Sequence, residues 1–275
     1  MKKKIVFIDV DDTLNPSNGN ISDYTKSVMD RLKEKGILVV IDTGRSAKYA
    51  IEKSIEGHLS NYIISSNGAE VYDYAKREII FQHSIPKKVI KDVYKYCEES
   101  KLTLILNSIE NRYINIKDYK YNNEPVIYFD DINKVINKNK INQLIILSSN
   151  YDRMLVIPNM FKEKFPMLKV VHSSIGLIEG RRVKGKEYYH DLVMDNTAKA
   201  TGIVELLDYL NLSSKDAIVV GNGYDDISMF DVVDTSIAVE NANEQLKSIA
   251  TYVALDVKED GAAKKLEELL LEEKK

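Results

Sequence analysis

Lys4-Ile5-Val6-Phe7-Ile8-Asp9-Val10-Asp11-Asp12-Thr13 is the stretch that decides the fold. Four apolar residues stand together without alternation and end in a cluster of acids, the pattern of a strand buried on both faces of a parallel sheet. Ligands of open parallel sheets lie beyond the carboxyl ends of the strands, so Asp9, Asp11 and Asp12 fall where a site forms. Clustered carboxylates repel one another unless a cation or a proton sits among them, which points to a hard divalent metal held by oxygen ligands. The plainer reading is an acidic cap on a turn.

Outward from this strand the pattern repeats. Asn15, Pro16, Asn18 and Gly19 mark a loop, and Ser22 caps a helix that carries Val28, Met29 and Leu32 inward and stops at Gly36. Ile37 to Ile41 reads as a second buried strand, followed by Asp42-Thr43-Gly44-Arg45 and a helix from Ser46 to Glu56. Tyr62 to Ser65 is a third strand, and Glu70 to Phe81 has hairpin character. From about His83 to Tyr188 the texture changes to Lys, Asn, Ile and Tyr with weak turn punctuation. That segment reads as helix 86–100, strands 102–107 and 112–117, helix 131–138, strand 142–148, helix 151–163 and strands over 168–190. The strand–helix rhythm then returns with helix 197–210, strand Ala217 to Val220, helix 225–230, strand Ser236 to Val239, helix 243–249 and a last helix from Gly261. The fold expected is α/β: a Rossmann-like doubly wound parallel sheet over 1–82 and 189–275, with an α+β module inserted at 83–188.

Two further strand ends and one helix start carry candidate chemistry. Thr43-Gly44-Arg45 offers a hydroxyl, close backbone approach and a helix N-terminus to an anion, or serves as ordinary N-cap chemistry. Lys199 stands near a helix start, where the dipole disfavours a cation, so it either meets an anionic partner or is a solvated surface lysine. Gly221-Asn222-Gly223-Tyr224-Asp225-Asp226 brings an amide and two carboxylates to a further strand end, a second metal edge. It lacks the third glycine of a dinucleotide fingerprint, and the chain has no Walker A lysine motif.

Composition bounds the rest. The 275 residues carry 39 basic and 42 acidic side chains, net −3, so no broad basic field favours nucleic acid. With 44% hydrophobic residues the chain can bury a core. The single Cys97 excludes an intrachain disulfide framework and fits a reducing compartment. No stretch approaches the roughly 18 apolar residues that span a bilayer, so a soluble cytoplasmic protein is expected, with no membrane partner. His58, His83, His172 and His190 are scattered without ligand spacing. The basic run Arg181, Arg182, Lys184 and Lys186 is either a solvated face or a grip on an anionic substrate.

Taken together these motifs resemble the Cof-type phosphatases of the haloacid dehalogenase superfamily, whose Rossmann-like core carries an inserted α+β cap. Asp9-Val10-Asp11-Asp12-Thr13 resembles the nucleophile loop, Thr43 the phosphate-binding residue, Lys199 the lysine of the third motif, and Gly221 to Asp226 the acidic metal loop. Ser66-Asn67-Gly68-Ala69 is similar to a stretch characteristic of the subfamily. The resemblance covers most of 1–82 and 189–255; the module matches in size, position and α+β character. Three positions depart from the pattern: Asp12 stands where the family has glycine, and Asn222 and Asp225 stand where it has aspartate and asparagine.

The resemblance implies a magnesium-dependent phosphomonoesterase acting on a small phosphorylated metabolite, a sugar phosphate or cofactor phosphate, through an aspartyl-phosphate. Asp9 would be the nucleophile and Asp11 the proton carrier, with Thr43, Gly44 and Lys199 on the phosphate. Asp9, the Asp11 carbonyl, Asn222 and Asp226 would surround Mg2+, with Asp225 behind them or as a further ligand. Asn67, Arg45, Arg181 and Arg182 are candidate substrate contacts, and the protein is expected to be a monomer or weak homo-oligomer. The alternatives are a phosphomutase and a phosphate-binding protein without catalysis; the presence of Asp11 speaks against the latter.

Overall fold

The computed structural model describes residues 3–17, 19–119, 125–173 and 187–272, which form two compact units, Met1–Phe81 with Ala198–Lys275 and Gln82–Thr197. The chain begins with β1 (Ile5–Ile8), α1 (Asp23–Glu34), β2 (Leu38–Asp42), α2 (Ala47–Glu56), β3 (Tyr62–Ser65), β4 (Glu70–Asp73) and β5 (Glu78–Gln82). Then come α3 (Lys87–Glu99), β6 (Thr103–Asn107), β7 (Arg112–Ile114), β8 (Ile127–Tyr128), α4 (Ile132–Lys138), β9 (Gln143–Ser148), α5 (Tyr151–Lys164), β10 (Leu168–Ser173) and β11 (Tyr188–Met194). The first unit is completed by α6 (Lys199–Tyr209), β12 (Ala217–Gly221), α7 (Ile227–Asp231), β13 (Ser236–Ala238), α8 (Glu244–Ile249), β14 (Tyr252–Val253) and α9 (Gly261–Leu270).

In the first unit the strand order is β14-β13-β12-β1-β2-β3-β4-β5, and every pair from β14 to β3 is parallel. The unbroken apolar run becomes the centre: β1 pairs Ile5 with Leu38 on one side and with Ala217 on the other, and Ile5 to Ile8 are fully buried. Its flanks obey local rules. Ser22 accepts a hydrogen bond from the Thr25 amide at 3.0 Å and caps α1, whose buried face is Thr25, Val28, Met29 and Leu32. At about 25 cal/mol per Å² of apolar surface buried, a sheet covered on both faces by such helices is the main stabilising element of this unit.

The second unit has a sheet of order β10-β11-β9-β6-β7-β8, antiparallel except for the β7–β8 pair. Alternation sorts its residues: Leu104, Leu106, Leu144, Ile146 and Leu192 pack against Ile90, Val93, Ile132, Met154, Ile157 and Phe161 of α3, α4 and α5. Cys97 lies in this cluster, and burial pushes its thiol up to about 12, so it is a packing group. Sequence reading returns the chain to the core at 189, whereas the compact unit runs to Thr197 because β11 pairs with both β9 and β10. β8 and β14, two exposed residues each, are too short for a periodic signal.

One turn sets how closely α6 approaches the sheet. Ser66, Asn67 and Gly68 all have positive φ (52°, 57° and 86°), and a Cβ on Gly68 would lie 1.9 Å from the Ala198 carbonyl oxygen. On the helix side, a Cβ on Gly202 would lie 2.4 Å from Ile64 Cγ2. Gly68→Ala therefore combines backbone strain with a clash, and is expected to cost about 2–6 kcal/mol in denaturant unfolding. A loss below about 1 kcal/mol would show that the helix tolerates displacement.

Candidate active site

The ends of β1, β2, β3 and β12 bring the motif residues together. Lys199 opens α6 with its side chain buried, which removes the solvated-lysine reading. Its Nζ donates to Asp9 Oδ1 at 2.8 Å and Asp226 Oδ1 at 2.6 Å, and stands 3.0 Å from Asp225 Oδ2. Burial works against the ammonium, yet Asp225, Asp226 and Asp9 together hold its pKa well above the ordinary value. The same burial pushes the Asp9 carboxyl up to about 8 against the pull of Lys199. Thr13 Oγ1 donates to Asp9 Oδ2 at 3.1 Å, fixing the carboxylate from its second oxygen.

Asp226 is the hinge of the acidic loop. Its Oδ2 accepts from the backbone N–H groups of Asn222 and Gly223, both at 2.8 Å, while Oδ1 meets Lys199. The backbone carbonyl of Asn222 is in turn held by the Asn243 amide and side chain at 3.1 and 3.2 Å. Asp12 turns away to Ser17, accepting from its amide at 2.8 Å and its hydroxyl at 2.7 Å. Asp12 is thus an Asx-type clasp of the loop, consistent with its φ of 60°.

A second cluster surrounds Asp11. Arg45 donates through Nε to Oδ2 at 2.9 Å and through Nη2 to Oδ1 at 3.1 Å, and the Tyr49 hydroxyl lies 3.3 Å from Oδ1. Thr43 is buried, with its hydroxyl accepting from the Arg45 amide at 3.2 Å. The turn at Ser66 is stitched to this loop by Ser66 N to the Arg45 carbonyl at 2.9 Å and Asn67 N to the Thr43 carbonyl at 3.2 Å. A Cβ on Gly44 would lie 2.8 Å from Asn67 Oδ1, so the amide side chain rests on the glycine. Both amide atoms of Asn67 are buried without a protein partner.

Two residues escaped the sequence reading. Asp42 follows Ile41, whose partner is Ile8, so in register it lies beside Asp9. It is fully buried with both oxygens unpartnered, and burial, only partly offset by Lys199, pushes its carboxyl well above the usual range. Tyr49 stands in the first turn of α2 while Arg45 precedes the helix, so no helical spacing pairs them. Arg181 and Arg182 lie outside the described residues, as do Lys184 and Lys186.

Among the described residues no three His, Cys, Asp or Glu side chains form a ready-made metal cage; the carboxylates converge on an ammonium instead. Even so, Asp9, Asp42, Asp225 and Asp226 face a single lysine, an excess of acidic oxygen that suits a hard divalent cation.

A parallel sheet with carboxylates and a threonine at its strand ends, and a buried lysine opening a neighbouring helix, is the arrangement of a phosphoryl-handling class of protein. A sequence model of the haloacid dehalogenase-like hydrolases matches residues 6–266, and the chain belongs to that family, as a Cof-type phosphatase. It is 29% identical over 290 residues to a Streptococcus pyogenes protein named as a bifunctional phosphatase/peptidyl-prolyl cis-trans isomerase, covering 99% of this chain but only 55% of that relative. It is 24% identical over 274 residues, 98% of each chain, to a Bacillus subtilis protein carrying the name phosphatase YkrA. The fold is also that of a haloacid dehalogenase-like hydrolase from Bacteroides thetaiotaomicron, with TM-score 0.83 and 21% identity over 98% of this chain and 100% of the other.

Removing the buried ammonium leaves three acids uncompensated. Lys199→Met is expected to lose about 3–5 kcal/mol of stability, read by thermal unfolding in EDTA. Partial recovery of the melting temperature with magnesium would follow from replacing the lost charge. A melting curve unchanged from wild type would mean the three acids do not depend on Lys199.

Proposed function

We propose that the protein hydrolyses phosphate monoesters of small metabolites, sugar phosphates or cofactor phosphates, with magnesium and an aspartyl-phosphate intermediate. The observation that carries this reading is Asp9 at the end of the central strand, held by Lys199 on one oxygen and Thr13 on the other. A carboxylate fixed at both oxygens presents a defined lone pair to phosphorus, the positioning on which phosphoryl transfer depends.

Asp9 attacks phosphorus while the bond to the leaving alkoxide breaks, and Asp11 gives that oxygen its proton. Asp11 then takes a proton from the water that cleaves the acyl phosphate and returns Asp9. Thr43 and the backbone at Gly44 receive the phosphoryl oxygens, with the Asn67 amide beside them. Lys199 supplies fixed positive charge, and its burial in a site of low dielectric strengthens that effect. Asp9, the Asp11 carbonyl and Asn222 would hold Mg2+, with Asp226 and Asp225 completing the acidic wall; when bound, the ion neutralises charge on the transferring group. Asp226 spends both oxygens on Lys199 and the loop amides, and Asp225 shares the same ammonium. The inserted unit is assigned the choice of substrate.

The test is phosphate release from a panel of phosphorylated metabolites and p-nitrophenyl phosphate, with magnesium or EDTA. Wild type should release phosphate only with the metal, and Asp9→Asn should lose at least about 10³-fold in turnover while melting normally. No release from any ester in magnesium, or wild-type turnover by Asp9→Asn, would refute this function.

The metal loop has its own check. In magnesium titrations by calorimetry, Asn222→Asp should bind at least as tightly as wild type, and Asp225→Ala should bind about tenfold more weakly. Equal affinities for wild type, Asp225→Ala and Asp226→Ala would place the ion on the β1 loop alone.

A further inference from the structure

Asp11 does not stand free at the end of β1. Arg45 grips it with both prongs of the guanidinium, and the Tyr49 hydroxyl reaches the oxygen shared with Arg45 Nη2. Tyr49 also lies under Arg45, with the guanidinium carbon 4.9 Å from the ring centroid. In that contact the Tyr49 hydroxyl is the donor and the Asp11 carboxylate the acceptor. Both groups rise from the same short segment: Arg45 just before α2 and Tyr49 within its first turn, whose cap is Ser46 accepting from the Tyr49 amide at 3.4 Å. One helix start therefore controls Asp11 twice, directly through the hydroxyl and indirectly by seating the arginine.

From this geometry we propose that Tyr49 is a positioning residue for the phosphatase reaction, acting through Asp11. The inference rests on Asp11 being the proton carrier. A carboxyl that delivers a proton to the departing oxygen must hold one rotamer while the bond to phosphorus breaks. An aspartate at a loop apex has no such restraint of its own. The ring and hydroxyl of Tyr49 provide it, and Tyr49 itself touches neither phosphorus nor the leaving group. Loss of the hydroxyl should therefore be felt only where the leaving oxygen needs a proton.

The experiment compares kcat/KM for an alkyl phosphate, glycerol 2-phosphate, with that for p-nitrophenyl phosphate, whose leaving group departs unprotonated. This parameter reports events through departure of the leaving group, so later hydrolysis does not obscure it. Asp11→Asn should lower the alkyl-to-aryl ratio by at least about 10²-fold, the scale of general acid catalysis. Tyr49→Phe, with the ring retained, should lower the same ratio by about tenfold, as loss of one hydrogen bond to a charged group does. The double variant should be no worse than Asp11→Asn alone, because a residue acting through Asp11 has nothing left to act on. Should Tyr49→Phe not fold, Tyr49→Leu, which also lacks the hydroxyl, carries the same comparison.

An unchanged ratio in Asp11→Asn overturns the proton-carrier reading and this inference with it. Where Asp11→Asn responds but Tyr49→Phe leaves the ratio unchanged, the inference alone falls. It falls too if the Tyr49 loss persists in full in the Asp11→Asn background, since Tyr49 would then act independently.

Discussion

The Lys199 ammonium is the interaction on which the core of the site depends. It has three N–H donors, and three carboxylates from two separate loops surround it at 2.6–3.0 Å. Burying one charge in this way is costly, and the cost is offset only because every donor meets a carboxyl oxygen. Removal of any partner upsets the balance for the others, so the loop after β1 and the acidic loop are tied to one another through a single atom. A lysine in the first turn of a helix opposes the helix dipole. The three acids outweigh that penalty, which is a few tenths to about 1 kcal/mol at a surface.

Holding that atom in place requires α6 to come closer to the sheet than side chains ordinarily permit. Gly68 and Gly202 provide the room, and the run of positive φ at Ser66, Asn67 and Gly68 bends the chain out of the way while pinning it to the Thr43 loop. Strain of this kind collects where a ligand must be met by backbone and persists because the neighbours over-determine it. Lys199, Gly44 and Asn67 consequently share one rigid framework, although they lie on three different elements.

Much of the core was legible because it obeys local rules. The run at Ile5 to Ile8, the cap at Ser22 and the strand at Leu38 to Asp42 follow from apolar continuity and capping chemistry alone, and the rule that ligands lie at carboxyl strand ends located Asp9, Thr43 and the Asn222 loop. Features that depend on a partner were not legible. Asp42 looks like the end of a strand until register sets it beside Asp9. The Arg45 grip on Asp11 joins residues 34 apart with no spacing to announce it. The reach of β11 into the second unit depends on pairing with β9 and β10, and the β8 pair is too short to leave a pattern. The exchange of amide and acid between positions 222 and 225 was visible at once, but only coordinates reveal that Asp226 is already committed to the loop's own amides.

The position of β1 has a consequence for biogenesis. Its neighbours are β2, available soon after it is made, and β12, made some two hundred residues later, while the Asp9–Lys199 contact spans 190 positions. The second unit, by contrast, contains among its described residues every strand partner of its sheet, all made once Thr197 has been synthesised. On the ribosome β1 must therefore wait with one hydrogen-bonding edge open, and closure across so many residues makes the assembly slow in the sense of high contact order. An apolar strand held open in this way is the part of the nascent chain most exposed to misassociation. The order of synthesis thus makes the α+β unit the first to reach its native pairing, and the parallel-sheet unit the last.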